Sequence, residues 1–226
     1  MSKTDIIDEF NNGDKQKAIS AAVAEVDAHP HDYHPYAVLS AMLINMRDYD
    51  QAAELLDKAL GLFHEQPELR YNWGLLAYQQ GEYKDALARL LPITGPDTKK
   101  SLRGDANYMV ALSYQGLEEP LRALAFAMTA HDLNPQAEDA TILTANLLMA
   151  SGAFAEAKRM LQPLVKHGSG QVLVAYGMVL GALGEDGSKY LDAAKDADPD
   201  AYKRARELLA FMNEQHKDAA GDTDGK

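Results

Sequence analysis

Residues 29–36 read HPHDYHPY, with His29, His31 and His34 inside six positions and Asp32 among them. Imidazole nitrogens and a carboxylate can hold zinc, provided four ligands converge tetrahedrally. A second run, DADPDAYKRARE, sets Asp196, Asp198, Asp200 and Glu207 at the first, third, fifth and twelfth places of a calcium loop. That loop needs glycine at its sixth place, where Ala201 stands; Pro199 interrupts it, and Lys203 and Arg204 fall inside it. An acidic helix start is the simpler account, because carboxylates suit the positive end of a helix. GSGQVL, after Lys166, lacks the last glycine of a dinucleotide-binding turn. No GxxxxGK[ST], HExxH or GxSxG run is present. An enzyme built on a site without a motif remains a reading, as does a metal binder.

The whole-chain totals narrow the classes. The 226 residues carry 46% apolar side chains, enough for a sizeable core, and a net charge of −12. Nucleic-acid binding needs a basic stripe that releases counterions, and no Lys/Arg cluster here makes one. The same charge opposes an anionic membrane surface and favours basic partners. With no cysteine, thiolate metal sites, disulfides and cysteine nucleophiles are out. The N-terminal MSKTDIIDEFNNGDKQK has no apolar h-region, and no run of eighteen apolar residues occurs, so a cytoplasmic protein is expected.

What positions these side chains is a repeat. Tyr49 to Tyr83, Ala52 to Ala86 and Leu56 to Leu90 are each 34 residues apart. The alanine extends to Ala18, Ala52, Ala86, Ala123 and Ala157, at spacings of 34, 34, 37 and 34. A small residue keeps step upstream: Ser40, Gly74, Ala111, Ala145 and Gly177. Gly13, Gly81, Gly152 and Gly184 share one turn phase, which Arg47 and Glu118 fill in the units between. Apolar residues three and four apart on both sides of that turn predict a helix–turn–helix unit whose stripes are buried only by stacking. The extra three residues of the 37 spacing fall in PITGPDTKK, a Pro/Gly-marked loop. Pro120 falls in a first helical turn, where proline is tolerated.

The period, the small residue of the first helix, the Gly81–Tyr83–Ala86 spacing and the closing Pro30 and Pro135 resemble tetratricopeptide repeats. The expected fold is all-α: a right-handed superhelical solenoid of about six hairpins, starting near residues 1, 33, 67, 104, 138 and 170. In the last unit Lys189 stands where the ladder expects alanine. A C-terminal capping helix is expected over about 199–216, opened by Asp198-Pro199, with Tyr202, Ala205, Leu208, Leu209 and Met212 on one face. Residues 1–217 form one solenoid in this reading, and 218–226 a disordered tail.

The repeat phase also places the histidines. His29, His64, His131 and His167 fall at or just beyond the ends of second helices, where a cation or donor meets free carbonyls. HPHDYHPY is therefore punctuation between two units. The resemblance implies that successive first helices line a concave face holding a peptide or partner helix. The stripe facing it is Ala37, Ala41 and Ile44; Tyr71, Leu75 and Tyr78; Tyr108, Leu112 and Gln115; Ile142, Asn146 and Met149; and Val174, Met178 and Gly181. Tyrosines offer rigid contact area and methionines adapt, so the row reads either as an interaction surface or as packing between neighbouring helices. Co-chaperones of this family grip a C-terminal carboxylate with Lys, Asn and Arg; this stripe has Asn146 but no Lys or Arg in its three central units. The expected function is a non-catalytic interaction scaffold, without cofactor or metal. Its partner is a protein or peptide with an apolar helix and basic flanks, not nucleic acid or membrane. The alternative is a self-associating protein using its cap, where Phe211 points away from the apolar face, or its convex side.

Overall fold

The computed structural model describes residues 3–200 together with Tyr202 and Lys203. Twelve α-helices pair into six hairpins among these residues. They are α1 (Lys3–Asn12) with α2 (Lys15–Ala28), α3 (Tyr33–Asn45) with α4 (Tyr49–Leu62), α5 (Pro67–Gln79) with α6 (Tyr83–Leu90), and α7 (Lys100–Gly116) with α8 (Pro120–Leu133). The remaining two are α9 (Glu138–Ala150) with α10 (Phe154–Leu161) and α11 (Gly170–Ala182) with α12 (Ser188–Ala197). The chain divides into two compact units, Met1–Leu133 and Asn134–Lys226. In the first, α1, α3, α5 and α7 lie side by side as a row; in the second, α9 and α11 do.

The ladder residues do what their size allows. Ala18, Ala52, Ala86, Ala123 and Ala157 are all fully buried. A larger side chain there would push each hairpin apart. Gly74 lies so close to Leu90 that a β-carbon would collide with its side chain, and at Gly177 a β-carbon would come within 2.8 Å of Leu191. Leu191 thus fills the place in the last hairpin that Leu90 fills in the third. α12 forms although Lys189 is exposed where alanine was expected.

The turns obey one geometry. Arg47, Gly81, Glu118, Gly152 and Gly184 all have positive φ, between 60° and 80°. Each is followed by an amide that reaches back to the preceding helix, as Glu82 N–H does to the Ala77 carbonyl at 2.9 Å and Asp48 N–H to Leu43 at 2.9 Å. This is the Schellman closure, which satisfies carbonyls that the helix end leaves free. Gly13 departs from the expected phase. It is not among the positive-φ residues. Asp14 follows at once and caps α2 by accepting from Gln16 N–H and Lys17 N–H.

Prolines shorten two second helices. α6 stops at Leu90 before Pro92 and α10 at Leu161 before Pro163, since proline has no N–H to continue the ladder. The chain then tucks Ile93 and Leu164 into the core, at 3% and 6% exposure. His167 therefore lies well past the end of α10, beyond a run of turns, rather than in a last helical turn. Pro120 opens α8 as expected. Only the start of the expected capping helix is described, with Tyr202 N–H bonded to the Asp198 carbonyl at 3.0 Å. The rest of that helix, Glu207 and Phe211 and the expected tail lie outside the described residues.

Candidate functional site

The histidine run resolves into capping chemistry. His29 closes α2, its backbone N–H bonded to the Glu25 carbonyl at 3.0 Å and its Nδ1 3.3 Å from the same oxygen. His64 Nδ1 lies 2.9 Å from the Leu60 carbonyl, past the end of α4. Asp32 begins α3 by accepting from His34 N–H at 3.0 Å, with His34 Nδ1 2.8 Å away. Those bonds hold the Asp32 carboxyl below its ordinary pKa. Tyr33 stacks on His34, and Phe63 packs edge-on against both Tyr33 and Tyr36. The stretch closes α2, starts α3 and packs the start of α3 against the end of α4.

The candidate groove belongs to the first helices. In the first unit a cavity of about 420 Å³ opens between α1, α3, α5 and α7. Its walls are mainly apolar: Ile7, Phe10, Ala37, Val38, Ala41, Met42 and Leu102. Residues with polar groups in the lining are Asn11, Asn45, Glu68, Tyr71 and Asn72. Asn72 is 7% exposed and donates to the Ala37 carbonyl at 2.7 Å and to Ser40 Oγ at 2.9 Å, which ties α5 to α3 beneath the cavity. Nothing in the apolar periodicity marked Asn72. Its partners lie one repeat upstream, and that 35-residue offset was the available signal.

Of the stripe expected to face this groove, Tyr71, Leu75, Tyr78, Tyr108 and Leu112 are half-buried, and Gln115 is exposed. In the second unit Ile142, Met149 and Met178 are half-buried and Asn146 is exposed. Ile44 is the most buried of the wider stripe, at 4% exposure, and still lines a cavity together with Ala41 and Asn45. Of the stripe, Ala37, Ala41 and Tyr71 line the cavity; half-burial itself is common to a groove lining and to packing between neighbouring first helices.

Electrostatics mark one part of the groove. Burial, with Asp105 and Tyr108 nearby, pushes the Tyr71 hydroxyl up to about 12. Asp105 is solvent-accessible but recessed, and desolvation raises its carboxyl pKa. Glu68 sits on the same wall, 3.5 Å from Lys99 Nζ and 3.4 Å from the Tyr33 hydroxyl. Among the described residues no three histidine or carboxylate groups are placed to share a metal. No described helix is long and apolar enough to cross a membrane.

Comparison with known proteins places this geometry. Residues 43–103, from the end of α3 into α7, match the family model described as tetratricopeptide repeat. That segment carries the tetratricopeptide repeat, and the described residues have the helical-hairpin fold of such proteins. No curated protein matches it by sequence. Among solved structures it is similar to Pseudomonas aeruginosa PilF, at 17% identity and a TM-score of 0.76, covering 90% of this chain and 94% of that one. PilW, described as a type IV pilus biogenesis factor, aligns at 16% identity and a TM-score of 0.74 over 88% of this chain and 94% of its own. YrrB, described as a TPR protein with an unusual peptide-binding site, aligns at 22% identity and a TM-score of 0.61 over 84% and 99%.

Proposed function

We propose that this chain is a non-catalytic scaffold that holds a peptide or amphipathic helix of a partner protein against its first helices. The observation that carries the reading is the apolar cavity between α1, α3, α5 and α7, whose wall includes Ala37, Ala41 and Tyr71 from the stripe. A concave apolar surface with a few placed polar groups is the usual form of a binding site. A helix laid in it would bury its apolar face. The recessed Asp105, and Glu68 beside its exposed partner Lys99, favour basic residues flanking that face. The likeness in fold to YrrB, a protein with a peptide-binding site, supports the same reading. The reading keeps the cytoplasmic setting expected from the sequence.

Affinity capture from the source cell, read by mass spectrometry, tests it. Wild type is run beside a Tyr71→Ser/Tyr108→Ser/Met149→Ser variant whose fold is checked by circular dichroism. A partner held by the wild type and lost by the folded variant supports the groove. Equal capture by both contradicts it.

One observation favours a second reading, self-association through the convex side. Leu121 on α8 is 79% exposed and Met128, two turns on, is 36% exposed, with Ala125 between them. The matching positions of α4 are Asp50, Glu54 and Asp57. A sedimentation mass that grows with concentration in the wild type, and not in Leu121→Glu, would favour this reading. A monomer at all concentrations removes it.

A further inference from the structure

The apolar cavity does not end at Ala41 and Asn45. The same two residues also line a second cavity of about 290 Å³, whose other walls include Arg47, Tyr49 and Gln79. Ile44 and Leu75 complete its lining, so the mainly apolar wall gains a guanidinium, a phenol and a second carboxamide beside that of Asn45. Among the described arginines, Arg70, Arg122 and Arg159 each hold a carboxylate and Arg89 lies over the Trp73 ring, whereas Arg103 on α7, like Arg47, has no carboxylate or ring partner but lines neither cavity. Arg47 has no such partner among the described residues, although Asp48 and Asp50 are its chain neighbours. It stands at a positive-φ turn position that three of the five equivalent turns give to glycine. Glu118 does the same, so the backbone alone is not the argument. The cavity beside an unpaired guanidinium is.

We propose that Arg47, with the carboxamides of Asn45 and Gln79, receives an acidic side chain of the peptide whose apolar face fills the adjoining groove. The proposal rests on the groove reading above. An arginine fork matches a carboxylate with two parallel N–H bonds, and neighbouring amides satisfy its remaining lone pairs. The occupant's charge pattern follows from the geometry. Glu68 lies in the first turn of α5 and Gln79 is its last residue. Eleven residues at 1.5 Å each separate them by roughly 16 Å along α5. The occupant then carries a basic residue toward the Glu68 end and an acid toward Arg47. The two stand about five residues apart if it is extended, or about eleven if helical.

Arg47→Gly tests this cleanly, because glycine accepts the turn's φ of 62° and removes only the charged side chain. Random twelve-residue peptides, displayed with their C-termini fused to a phage coat protein so that no free α-carboxylate is offered, are selected on full-length wild type and on Arg47→Gly. The proposal expects wild-type winners with Asp or Glu at a fixed distance from Lys or Arg, a preference absent from the Arg47→Gly winners. For a synthetic wild-type winner, Glu→Gln should weaken binding on the order of ten- to a hundredfold on wild type and leave Arg47→Gly unmoved. Winners without an acid, or with the same acid preference on both proteins, overturn the Arg47 assignment and leave the groove reading standing. If the wild type selects no peptide, the groove reading fails and this inference fails with it.

Discussion

Asn72 on α5 donates from its carboxamide to the Ala37 carbonyl on α3, 2.7 Å away, and the same carboxamide donates to Ser40 Oγ. A single buried polar residue thus fixes the spacing of two first helices directly under the candidate groove. Buried hydrogen bonds of this kind contribute modestly when made and cost more when one partner is left alone. The Ser40 hydroxyl keeps its own bond to Ala37 at 3.2 Å, which limits the loss. Asn72→Ala should therefore lower stability by about 1–2 kcal/mol in urea titration. An unchanged midpoint would show that the bond does not hold the helices.

The two non-glycine residues of the turn make an opposite prediction. A left-handed residue with a β-carbon costs roughly 1–2 kcal/mol, part of which glycine returns through its freer unfolded chain. Arg47→Gly and Glu118→Gly should each stabilise by about 0.5–1 kcal/mol. Gly81→Ala, at φ 80°, should destabilise by about 1 kcal/mol, although nothing stands within 4 Å of its added carbon. Thermal melting of the three variants reads the signs directly.

Glycines inside helices divide by surroundings. At Gly74 an added methyl strikes the fully buried Leu90, whereas at Gly181 nothing stands within 4 Å. Alanine gains helix propensity at both. Overpacking should reverse the gain at Gly74, for a net loss of about 1–2 kcal/mol, while Gly181→Ala gains about 0.5 kcal/mol. Adding Leu90→Val to Gly74→Ala should show coupling in a double-mutant cycle. Additive behaviour would mean that the two residues do not share the space.

Tyr71 supplies a pH dependence. Its hydroxyl pKa is pushed up to about 12 in the folded chain, against about 10 when exposed. Between those values the folded state holds a proton that the unfolded state has lost. The stability from neutral Tyr71 is whole below about pH 10 and disappears as pH rises toward 12, a change on the order of 2 kcal/mol. Tyr71→Phe should flatten the fall of the melting temperature over that window, leaving the part due to Tyr33, Tyr78 and Tyr176, whose hydroxyls are also raised. An identical slope in the variant would contradict the burial of this hydroxyl.

The hairpins were legible because their signals are periodic. Alanine at 34-residue steps, small residues opposite them and a shared turn phase describe contacts that each unit makes again, and the buried alanines occupy those places. What escaped was aperiodic. Pro92 and Pro163 end their helices early, which moved His167 off a helix end. Ile44 shares its phase with Ala37 and Ala41 but is far more buried, at 4% exposure, which phase alone does not predict. Arg47 was read as a residue filling a turn. Its place beside the groove depends on Gln79 and Leu75 from the next unit, which no local pattern in α3 contains. The half-burial of Tyr71, Tyr108 and Met178 was likewise beyond a pattern that counts apolar positions without measuring the gap between helices.

The central claim is that the partner lies on the first helices and not on the convex side. A photo-crosslinking phenylalanine derivative, introduced in cells in place of Tyr71 and separately in place of Leu121, tests it most directly. The account predicts that irradiation joins a partner protein to the chain from the Tyr71 position and not from the Leu121 position. Cross-links from Leu121 alone, to a partner or to a second copy of the chain, would contradict it.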